Sequence, residues 1–380
     1  MRTSTPNARV GETIRLDSID ALRGIAALAV VACHASTMIG TDAARNGWLH
    51  TVAQIPALYG VAGVYLFFVI SGFCIHLKQA RASAQGHPAH IDAGVFWKRR
   101  FWRLYPAYFA ALMLSLALQA HSKEVALDGF YVWDVVSHLL LIHNFDVRTV
   151  YSINGVLWTL AIEVQLYAAY FLLIKMRTAW GWTKTLLFCA AARMMWFLLN
   201  LLFYSKQGWS LPMSESWVAN WFMWALGAVS VEAAVGGLSL PSWCRSLKWG
   251  TAILLLAAGL HAVDVSMPRL LPSVLQWMFL RQVIFFAWAV GFFCLVNWAV
   301  STVQARPTHS AFSWVGALKT VGVFSYSLYL THLLVLHQFT SPIIGVPVSL
   351  LAAWAFFLIF ERPFIISPGP KPSSAAPVAP

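Results

Sequence analysis

Long apolar segments separated by short polar stretches occupy most of the chain and predict a bundle of membrane-spanning helices. An α-helix rises about 1.5 Å per residue, so about 20 apolar residues cross a hydrocarbon core about 30 Å thick. Segments of about this length predict ten spans, at approximately 19–39, 55–77, 104–120, 155–174, 184–204, 216–235, 247–263, 274–300, 321–340 and 343–360. The predicted fold class is therefore all-α, a polytopic transmembrane helical bundle.

The composition supports the membrane interpretation. Of the 380 residues, 59% are hydrophobic and 11% are charged, whereas roughly a quarter of the residues are charged in soluble domains. This difference excludes an ordinary soluble enzyme. The 14% aromatic content excludes an intrinsically disordered chain, since disordered segments are poor in aromatic residues. The five cysteines include no C-x-x-C pair, so the sequence predicts neither a disulfide framework nor a metal site.

The distribution of basic residues predicts how the bundle is oriented. The net charge is +12, which in a soluble protein would suggest a nucleic-acid partner. In a membrane protein the excess reports topology instead, and no nucleic-acid partner is expected. With the N-terminus in the cytosol, 19 Lys and Arg residues lie in cytosolic segments and five lie in outer loops. Because Lys and Arg are enriched on the cytosolic side, both termini are predicted to be cytosolic.

The span pattern divides the chain into three parts. These are a cytosolic N-terminal segment at 1–18, a membrane domain at 19–363 and a flexible C-terminal tail at 364–380. Within the largest outer loop, the apolar stretch VVSHLLLIHNF is too short to span, so it is expected either to lie along the interface or to re-enter. The stretch Val30–Cys33 loosely resembles a bacterial lipoprotein cleavage site. Cleavage there would discard the first span, so that helix is expected to be retained.

Two titratable residues lie on one face of the first predicted span. Arg23 and His34 are eleven residues apart, which is about three helical turns and about 16 Å along the axis. This spacing puts Arg23 near the cytosolic surface and His34 deep in the membrane. An imidazole titrates near neutral pH and is a common general base. The alternatives are a structural histidine bonded to a neighbouring helix and an arginine that anchors the span at the interface.

A basic cluster precedes the third predicted span. In WKRRFWRLYP, Arg100 and Arg103 are three residues apart and share a helix face at the cytosolic boundary. Guanidinium groups bind phosphate with two parallel hydrogen bonds, so this pair suits a phosphorylated ligand that approaches from the cytosol. Ordinary positive-inside anchoring is the alternative.

Two further spans carry polar residues that a bilayer tolerates poorly. Glu163 lies in the middle of the fourth span, where a carboxylate must be protonated, paired or exposed to a water-filled cavity. The ninth span contains SYSLYLTH, which ends at His332. Hydroxyl groups at this density more often bond helices to one another, so catalysis is assigned to His34 and Glu163 and not to this segment.

The order and spacing of six motifs resemble the integral-membrane acyltransferase 3 family, which includes polysaccharide and lipopolysaccharide O-acetyltransferases. The resemblance covers nearly the whole chain. The motifs are IDALRG followed by His34, GVYLFFVISGF at 63–73, RRFWRLYP at 99–106, WTLAIEVQLY at 158–167, SYSLYLTH at 325–332 and ERP at 361–363.

The resemblance implies a ten-span enzyme of the bacterial inner membrane, embedded in the lipid bilayer. Such an enzyme takes an acyl group, commonly acetyl, from cytosolic acyl-CoA and places it on a sugar hydroxyl. The donor is a substrate, and no permanently bound cofactor or metal is expected. The family's activity-linked residues map onto His34, Arg23, Arg100 and Arg103. Some members carry a fused extracytoplasmic hydrolase-like domain. The predicted spans leave no room for one in these residues and the sequence has no G-D-S motif, so none is expected here.

Together these observations give one hypothesis for the mechanism. CoA phosphates dock on Arg100 and Arg103, with Arg23 nearby, and the thioester reaches His34 through a single tunnel. His34 then deprotonates an acceptor hydroxyl, while Glu163 or a neighbouring hydroxyl orients the imidazole. Direct transfer and an acyl-histidine intermediate both remain open.

The identity of the acceptor and the class of protein have open alternatives as well. The acceptor is a carbohydrate or a glycolipid, such as a cell-surface polysaccharide, a lipopolysaccharide or a lipid-linked sugar. A small molecule such as a macrolide would leave similar motifs. A proton-coupled transporter or flippase also uses intramembrane Arg, His and Glu, but it predicts inverted repeats, which the sequence lacks. A non-catalytic scaffold gives no reason to bury His34 and Glu163. The sequence gives no indication of the oligomeric state.

Overall fold

A computed structural model describes residues 16–39, 48–87, 91–122, 128–207, 212–266, 276–305 and 314–365. Within these residues the protein is all-helical and contains no strand, which confirms the predicted fold class. The N-terminal segment and the C-terminal tail of the predicted domain division lie almost entirely outside the described residues.

Twelve α-helices follow one another in the described residues. They are α1 (Asp17–Thr37), α2 (Trp48–Leu58), α3 (Gly60–Ala84), α4 (Ala93–Ser122), α5 (Gly129–Leu139), α6 (Trp158–Gln207), α7 (Trp217–Ala234), α8 (Leu247–Ser266), α9 (Arg281–Ala305), α10 (Trp314–Val323), α11 (Ser325–Leu336) and α12 (Pro342–Phe356). A π-helical turn at Phe357–Glu361 and a 3₁₀ turn at Arg362–Phe364 extend α12.

Seven helices in the described residues are long and apolar enough to cross a membrane: α1, α3, α4, α6, α8, α9 and α12 with its extension. This indicates a multi-pass membrane protein. The predicted spans 155–174 and 184–204 fall in the two segments of α6, which are separated by a kink at Gly181, where the backbone is not helical (φ 74°, ψ 171°). The predicted break between these two spans is therefore confirmed. The predicted span 321–340 is interrupted near Phe324, between α10 and α11. The predicted boundaries therefore need revision near Phe324.

Close backbone contact between α1 and α10 fixes the start of α1. Gly24 faces the backbone carbonyl of Leu318, and Gly322 faces the backbone carbonyl of Asp20. A Cβ atom at either glycine would overlap the facing carbonyl. Small residues let membrane helices approach this closely. The pair of glycines therefore holds α10 against the turn of α1 that carries Arg23.

The apolar stretch of the large loop folds back along α4. The hydroxyl of Tyr105 donates to the carbonyl of Leu139 over 3.0 Å, and the hydroxyl of Tyr108 donates to the carbonyl of His138 over 2.7 Å. Tyr105 lies 17 residues before the end of α4 at Ser122, or about 25 Å along the axis. Of the two expectations for this stretch, re-entry beside α4 fits these bonds, and a position along the outer interface does not.

Candidate active site

The predicted arginines and Glu163 line one cavity among α1, α3, α4, α6 and α11. Its empty volume is about 890 Å³, including its open mouth. Arg23, Arg100 and Arg103 share the walls with Glu163 and with a second carboxylate, Glu361. Residues from distant parts of the sequence are therefore brought together: the three arginines share one cavity as predicted, and Glu163, which was expected beside His34, lies with them. Glu361, the first residue of the ERP motif, was not predicted as a site residue.

Arg23 points into the bundle and contacts α3. Its guanidinium donates to Asp20 Oδ1 over 3.2 Å and to Cys74 Sγ over 3.3 Å. Cys74 also lines the cavity. An arginine that only anchored a span at the interface would extend its side chain toward the headgroups. The contacts with α3 favour the site interpretation of Arg23 over the anchoring one.

The guanidinium of Arg100 lies over two aromatic rings, and one of its N–H groups has no hydrogen-bond partner in the described part of the chain. Its Cζ lies 5.7 Å from the ring centroid of Phe96 and 5.8 Å from that of Tyr167. Its buried Nε has no hydrogen-bond partner within the described part of the chain. Buried donors in proteins are rarely left without a partner. This donor and the neighbouring Arg103 side chain together suit an anionic ligand in the cavity.

Glu163 accepts hydrogen bonds from two hydroxyl groups of the cavity wall. Ser71 donates to its Oε1 over 3.0 Å, and Tyr167 donates to the same oxygen over 2.5 Å. The indole of Trp224 donates in turn to Ser71 Oγ over 3.2 Å. The second carboxylate, Glu361, is 2% exposed and accepts from Ser327 Oγ over 2.6 Å. Both carboxylates are therefore fixed by hydroxyl donors.

His34 lies in the last turn of α1, where it pairs with His332 of α11. Its Nδ1 is 3.0 Å from His332 Nε2 and 3.1 Å from the carbonyl of Val30. His332 is fully buried, and its Nδ1 lies 3.0 Å from the carbonyl of Leu328 and 2.8 Å from that of Tyr329. The two imidazoles thus form a chain that ends on backbone carbonyls.

This hydrogen-bond network assigns the tautomers of both rings. Carbonyl oxygens only accept, so Nδ1 of His332 carries its proton and Nε2 of the neutral ring accepts. The proton that His332 Nε2 accepts must then come from Nδ1 of His34. In the neutral His34 ring, the second nitrogen, Nε2, is left with a free lone pair. His34 is only partly buried, so this nitrogen sits in the arrangement required of a general base.

The expectation that Glu163 or a hydroxyl orients His34 is corrected by this geometry. The side-chain partner of His34 is another imidazole, and Glu163 bonds Ser71 and Tyr167 instead. His332 was overlooked because a hydroxyl-rich helix suggested helix-to-helix bonding. A signal was nevertheless present in the sequence. A titratable ring in an apolar span is a functional candidate by the same reasoning that selected His34.

The expectation of one open tunnel also needs correction. His34 and His332 do not line the cavity of the arginines. Tyr329 lies between the two regions: it lines the cavity, its ring centroid is 6.0 Å from that of His332, and its hydroxyl receives a hydrogen bond from Thr159 over 2.9 Å. Phe67 packs against Tyr329 at 5.9 Å. The histidine pair and the cavity are thus neighbours across a thin wall of side chains.

The comparisons with known proteins agree with this arrangement of motifs. A family model described as an acyltransferase domain matches residues 16–360. The acyltransferase MdmB of Streptomyces mycarofaciens is 26% identical over 276 residues, which cover 67% of this chain and 65% of that protein. Nodulation protein 10 of Rhizobium leguminosarum bv. viciae is 26% identical over 196 residues, which cover 47% of this chain and 50% of that protein.

A third relative has a more specific name. The peptidoglycan O-acetyltransferase OatA of Listeria monocytogenes is 29% identical over 178 residues, which cover 44% of this chain and 25% of that protein. The matches thus span just under two thirds, half and a quarter of the lengths of these three relatives. No solved structure matches the chain. The family model, by contrast, extends from the start of α1 to the extension of α12, and this shows that the chain belongs to the acyltransferase 3 family.

Proposed function

We propose that the protein is a multi-pass O-acyltransferase of the bacterial inner membrane. It moves an acyl group from cytosolic acyl-CoA to a hydroxyl group of a carbohydrate or glycolipid on the outer side. The observation that carries this proposal is that the arginine cavity and the His34–His332 pair lie on opposite sides of the wall that contains Tyr329. An arginine cavity suits a phosphorylated donor on one side, and a histidine with a free Nε2 suits an acceptor hydroxyl on the other.

The proposed orientation of the protein in the membrane follows from the distribution of its basic residues. The cavity lies where α1 and α4 begin, next to the basic segment that contains Arg99, Arg100 and Arg103. The positive-inside rule assigns this end of the bundle to the cytosol, where acyl-CoA is made. His34 lies in the last turn of α1 and therefore faces the opposite side of the membrane.

In the proposed mechanism, the arginines of the cavity bind the phosphate groups of the acyl-CoA donor. Guanidinium forks match the oxygen atoms of phosphate, and Arg100 keeps an unpartnered Nε for such a ligand. The pantetheine arm extends from this anchor toward Tyr329, with its thioester at the inner end. Glu163 holds the hydroxyls of Ser71 and Tyr167 in the wall of this passage. Its negative charge also offsets part of the positive charge of the three arginines.

In the proposed mechanism, His34 acts as the general base for acyl transfer. Its Nε2 removes the proton of the acceptor hydroxyl while that oxygen attacks the thioester carbonyl carbon. The carbon–sulfur bond breaks, and the imidazolium returns the proton to the leaving CoA thiolate, so the products are an ester and free CoA. His332 holds His34 in the reactive tautomer and orientation, as a second residue does in other imidazole-based sites.

The acceptor side contains groups suited to a sugar. Tyr151 is 51% exposed, and its hydroxyl donates to Glu215 Oε1 over 2.7 Å. The indole of Trp158 packs edge-on against the Tyr151 ring, with the centroids 6.4 Å apart. Trp158 directly precedes Thr159, which bonds Tyr329. Apolar ring faces beside a carboxylate suit a polyhydroxylated ligand, and the relative OatA is named for peptidoglycan O-acetylation.

The test is acyl transfer by the purified protein in nanodiscs without any ion gradient. With labelled acetyl-CoA and a cell-wall glycan or lipid-linked sugar, the wild-type protein is expected to release CoA and label the acceptor. His34→Ala should lose about 10²- to 10⁴-fold in kcat, which is the usual contribution of a general base. His121→Ala is the matched control, because His121 is exposed at the end of α4. Full activity of His34→Ala would refute the assignment, and gradient-driven transport without CoA release would favour a transporter.

A further inference from the structure

A second cavity lies between α4 and α6, directly beside the first. Its empty volume is about 430 Å³, including its mouth. Both cavities share the side chains of Arg100, Leu104, Leu160, Tyr167 and Tyr326. The walls that belong only to the second cavity are formed by Trp97, Phe101, Tyr105, Tyr108, Leu141 and Val164. We name this second cavity the side pocket.

The side pocket offers almost no hydrogen-bonding groups to a ligand, although four tyrosines line it. Each of their hydroxyls is already used. Tyr105 and Tyr108 donate to the backbone carbonyls of the re-entrant stretch, and Tyr326 donates to the carbonyl of Leu104 over 2.9 Å. Tyr167 donates to Glu163. Apart from Arg100 at the shared rim, the pocket therefore presents hydrocarbon and ring faces.

The two connected cavities thus suit two parts of one amphipathic ligand. Phosphates and the amide groups of a pantetheine arm need hydrogen-bond partners, which the first cavity supplies through its arginines, carboxylates and serines. A hydrocarbon chain needs none and gains from leaving water. We propose that the side pocket binds the acyl chain of the donor thioester, and that the preferred donor carries a medium-length chain rather than acetyl. This inference rests on the proposed function.

The position of the side pocket sets the chain length. Tyr326 lies six residues before His332 on α11, which is about 9 Å along the axis. An acetyl group whose carbonyl lies near the histidine pair cannot fill a pocket at the level of Tyr326. An octanoyl chain that folds back from the carbonyl can reach it. Each methylene that the pocket removes from water should then improve donor binding about fourfold until the pocket is full.

Continuity with the arginine cavity favours the donor chain over a bilayer lipid as the occupant. Leu160, Tyr167 and Tyr326 line both spaces, so a ligand anchored at Arg100 enters the side pocket without leaving the protein. The re-entrant stretch supplies Leu141 to the wall. Trp97 and Phe101 are partly exposed on α4, so a lipid tail from the bilayer is the alternative that the test must distinguish.

Val164 is the position of choice for the test, because it lines only the side pocket. Val164→Phe fills the space and Val164→Ala enlarges it. Leu172→Phe is the matched control, since Leu172 lies on the same helix but is 46% exposed and outside both cavities. Binding is measured with S-ethyl-CoA and S-octyl-CoA, thioethers that cannot transfer an acyl group. Turnover is measured with acetyl-CoA and octanoyl-CoA.

The wild-type protein should bind S-octyl-CoA more tightly than S-ethyl-CoA and should turn over octanoyl-CoA with the higher kcat/KM. Val164→Phe should lower the octyl-to-ethyl affinity ratio about tenfold or more, Val164→Ala should not lower it, and Leu172→Phe should leave it unchanged. Equal affinity for both thioethers in the wild-type protein would overturn the proposal. So would a change in copurified phospholipid, rather than in the affinity ratio, in Val164→Phe.

The failure of this inference is distinguishable from the failure of the proposed function. If S-octyl-CoA binds through the side pocket but no thioester is turned over, the pocket assignment stands and the transferase assignment falls. If acetyl-CoA is the better donor and Val164→Phe keeps the wild-type ratio, the transferase assignment stands and the chain-binding role of the side pocket falls.

Discussion

The role of His332 can be tested by replacing its ring with a group of similar size that cannot accept a hydrogen bond. In His332→Phe, the Nδ1–H of His34 loses its 3.0 Å acceptor but keeps the carbonyl of Val30 at 3.1 Å. The reactive tautomer is therefore weakened rather than abolished. Because this N–H keeps one acceptor, the loss is that of one net hydrogen bond, about 0.5–1.5 kcal/mol, which corresponds to about a 2- to 13-fold fall in kcat.

The assay separates a positioning role from a structural one. Under the proposed function the donor binds in the arginine cavity, which His332 does not line, so the KM for acyl-CoA should stay near the wild-type value while kcat falls. His332→Gln restores an acceptor near the position of Nε2 and should recover part of the lost rate. His34→Ala gives the lower limit, because it removes the base itself.

Three results would refute this reasoning. One is an unchanged kcat in His332→Phe, because then the imidazole pair has no part in the reaction. Another is an equal loss in the Phe and Gln variants, since acceptance of a hydrogen bond would then be irrelevant. The third is a parallel loss of donor affinity and thermal stability, which would assign His332 a purely structural role.

Three further predictions concern the cavity and the helix packing. Arg100→Ala should raise the KM for acyl-CoA about 10- to 150-fold, because a charge-assisted hydrogen bond is lost. The control is Arg99→Ala, whose side chain lies outside the cavity, and equal effects of the two substitutions would refute a specific phosphate site. Glu163→Gln should strengthen CoA binding in a titration of the purified protein, because one negative charge is removed from the cavity, and weaker binding would refute the charge-balancing role. Gly322→Ala should lower the free energy of unfolding by about 1–3 kcal/mol and therefore lower the melting temperature. The control is Gly316→Ala, whose Cβ meets open space, and equal melting temperatures of the two variants would refute the tight helix crossing.

The sequence predicted the shared location of the arginines better than it predicted the contact between His34 and His332, for a physical reason. A charged side chain in a membrane span must face the interior, so Arg23, Arg100 and Arg103 were expected to face one donor passage. Glu163 was expected beside His34. That reasoning needs only the identity and depth of each residue. It does not specify which inward-facing groups touch. His34 and His332 are 298 positions apart, and their contact depends on how α1 and α11 are packed.

The break near Phe324 and the burial of Glu361 were missed because local backbone geometry overrides the apolar pattern there. The break near Phe324 lies within an apolar run and leaves no gap in the pattern. Glu361 is buried because a π-helical turn extends α12 at that point. Neither of these features changes the mean hydropathy of the segment that contains it.

Under the proposed mechanism, the wall between the cavity and the histidine pair explains how the two substrates stay apart. The nucleotide end of CoA is large and anionic, and its binding groups end at the arginines. The acceptor is a bulky polar ligand on the other side of Tyr329. The thioester arm is the narrow part of the donor, and Tyr329 and Phe67 are side chains of the wall that would shift to let it pass. Smaller side chains at Tyr329 should therefore raise hydrolysis of acyl-CoA without acceptor, because water gains access to the thioester. Release of CoA by Tyr329→Ala in the absence of acceptor, compared with wild type, measures this leak, and an unchanged rate would show that Tyr329 is not the barrier.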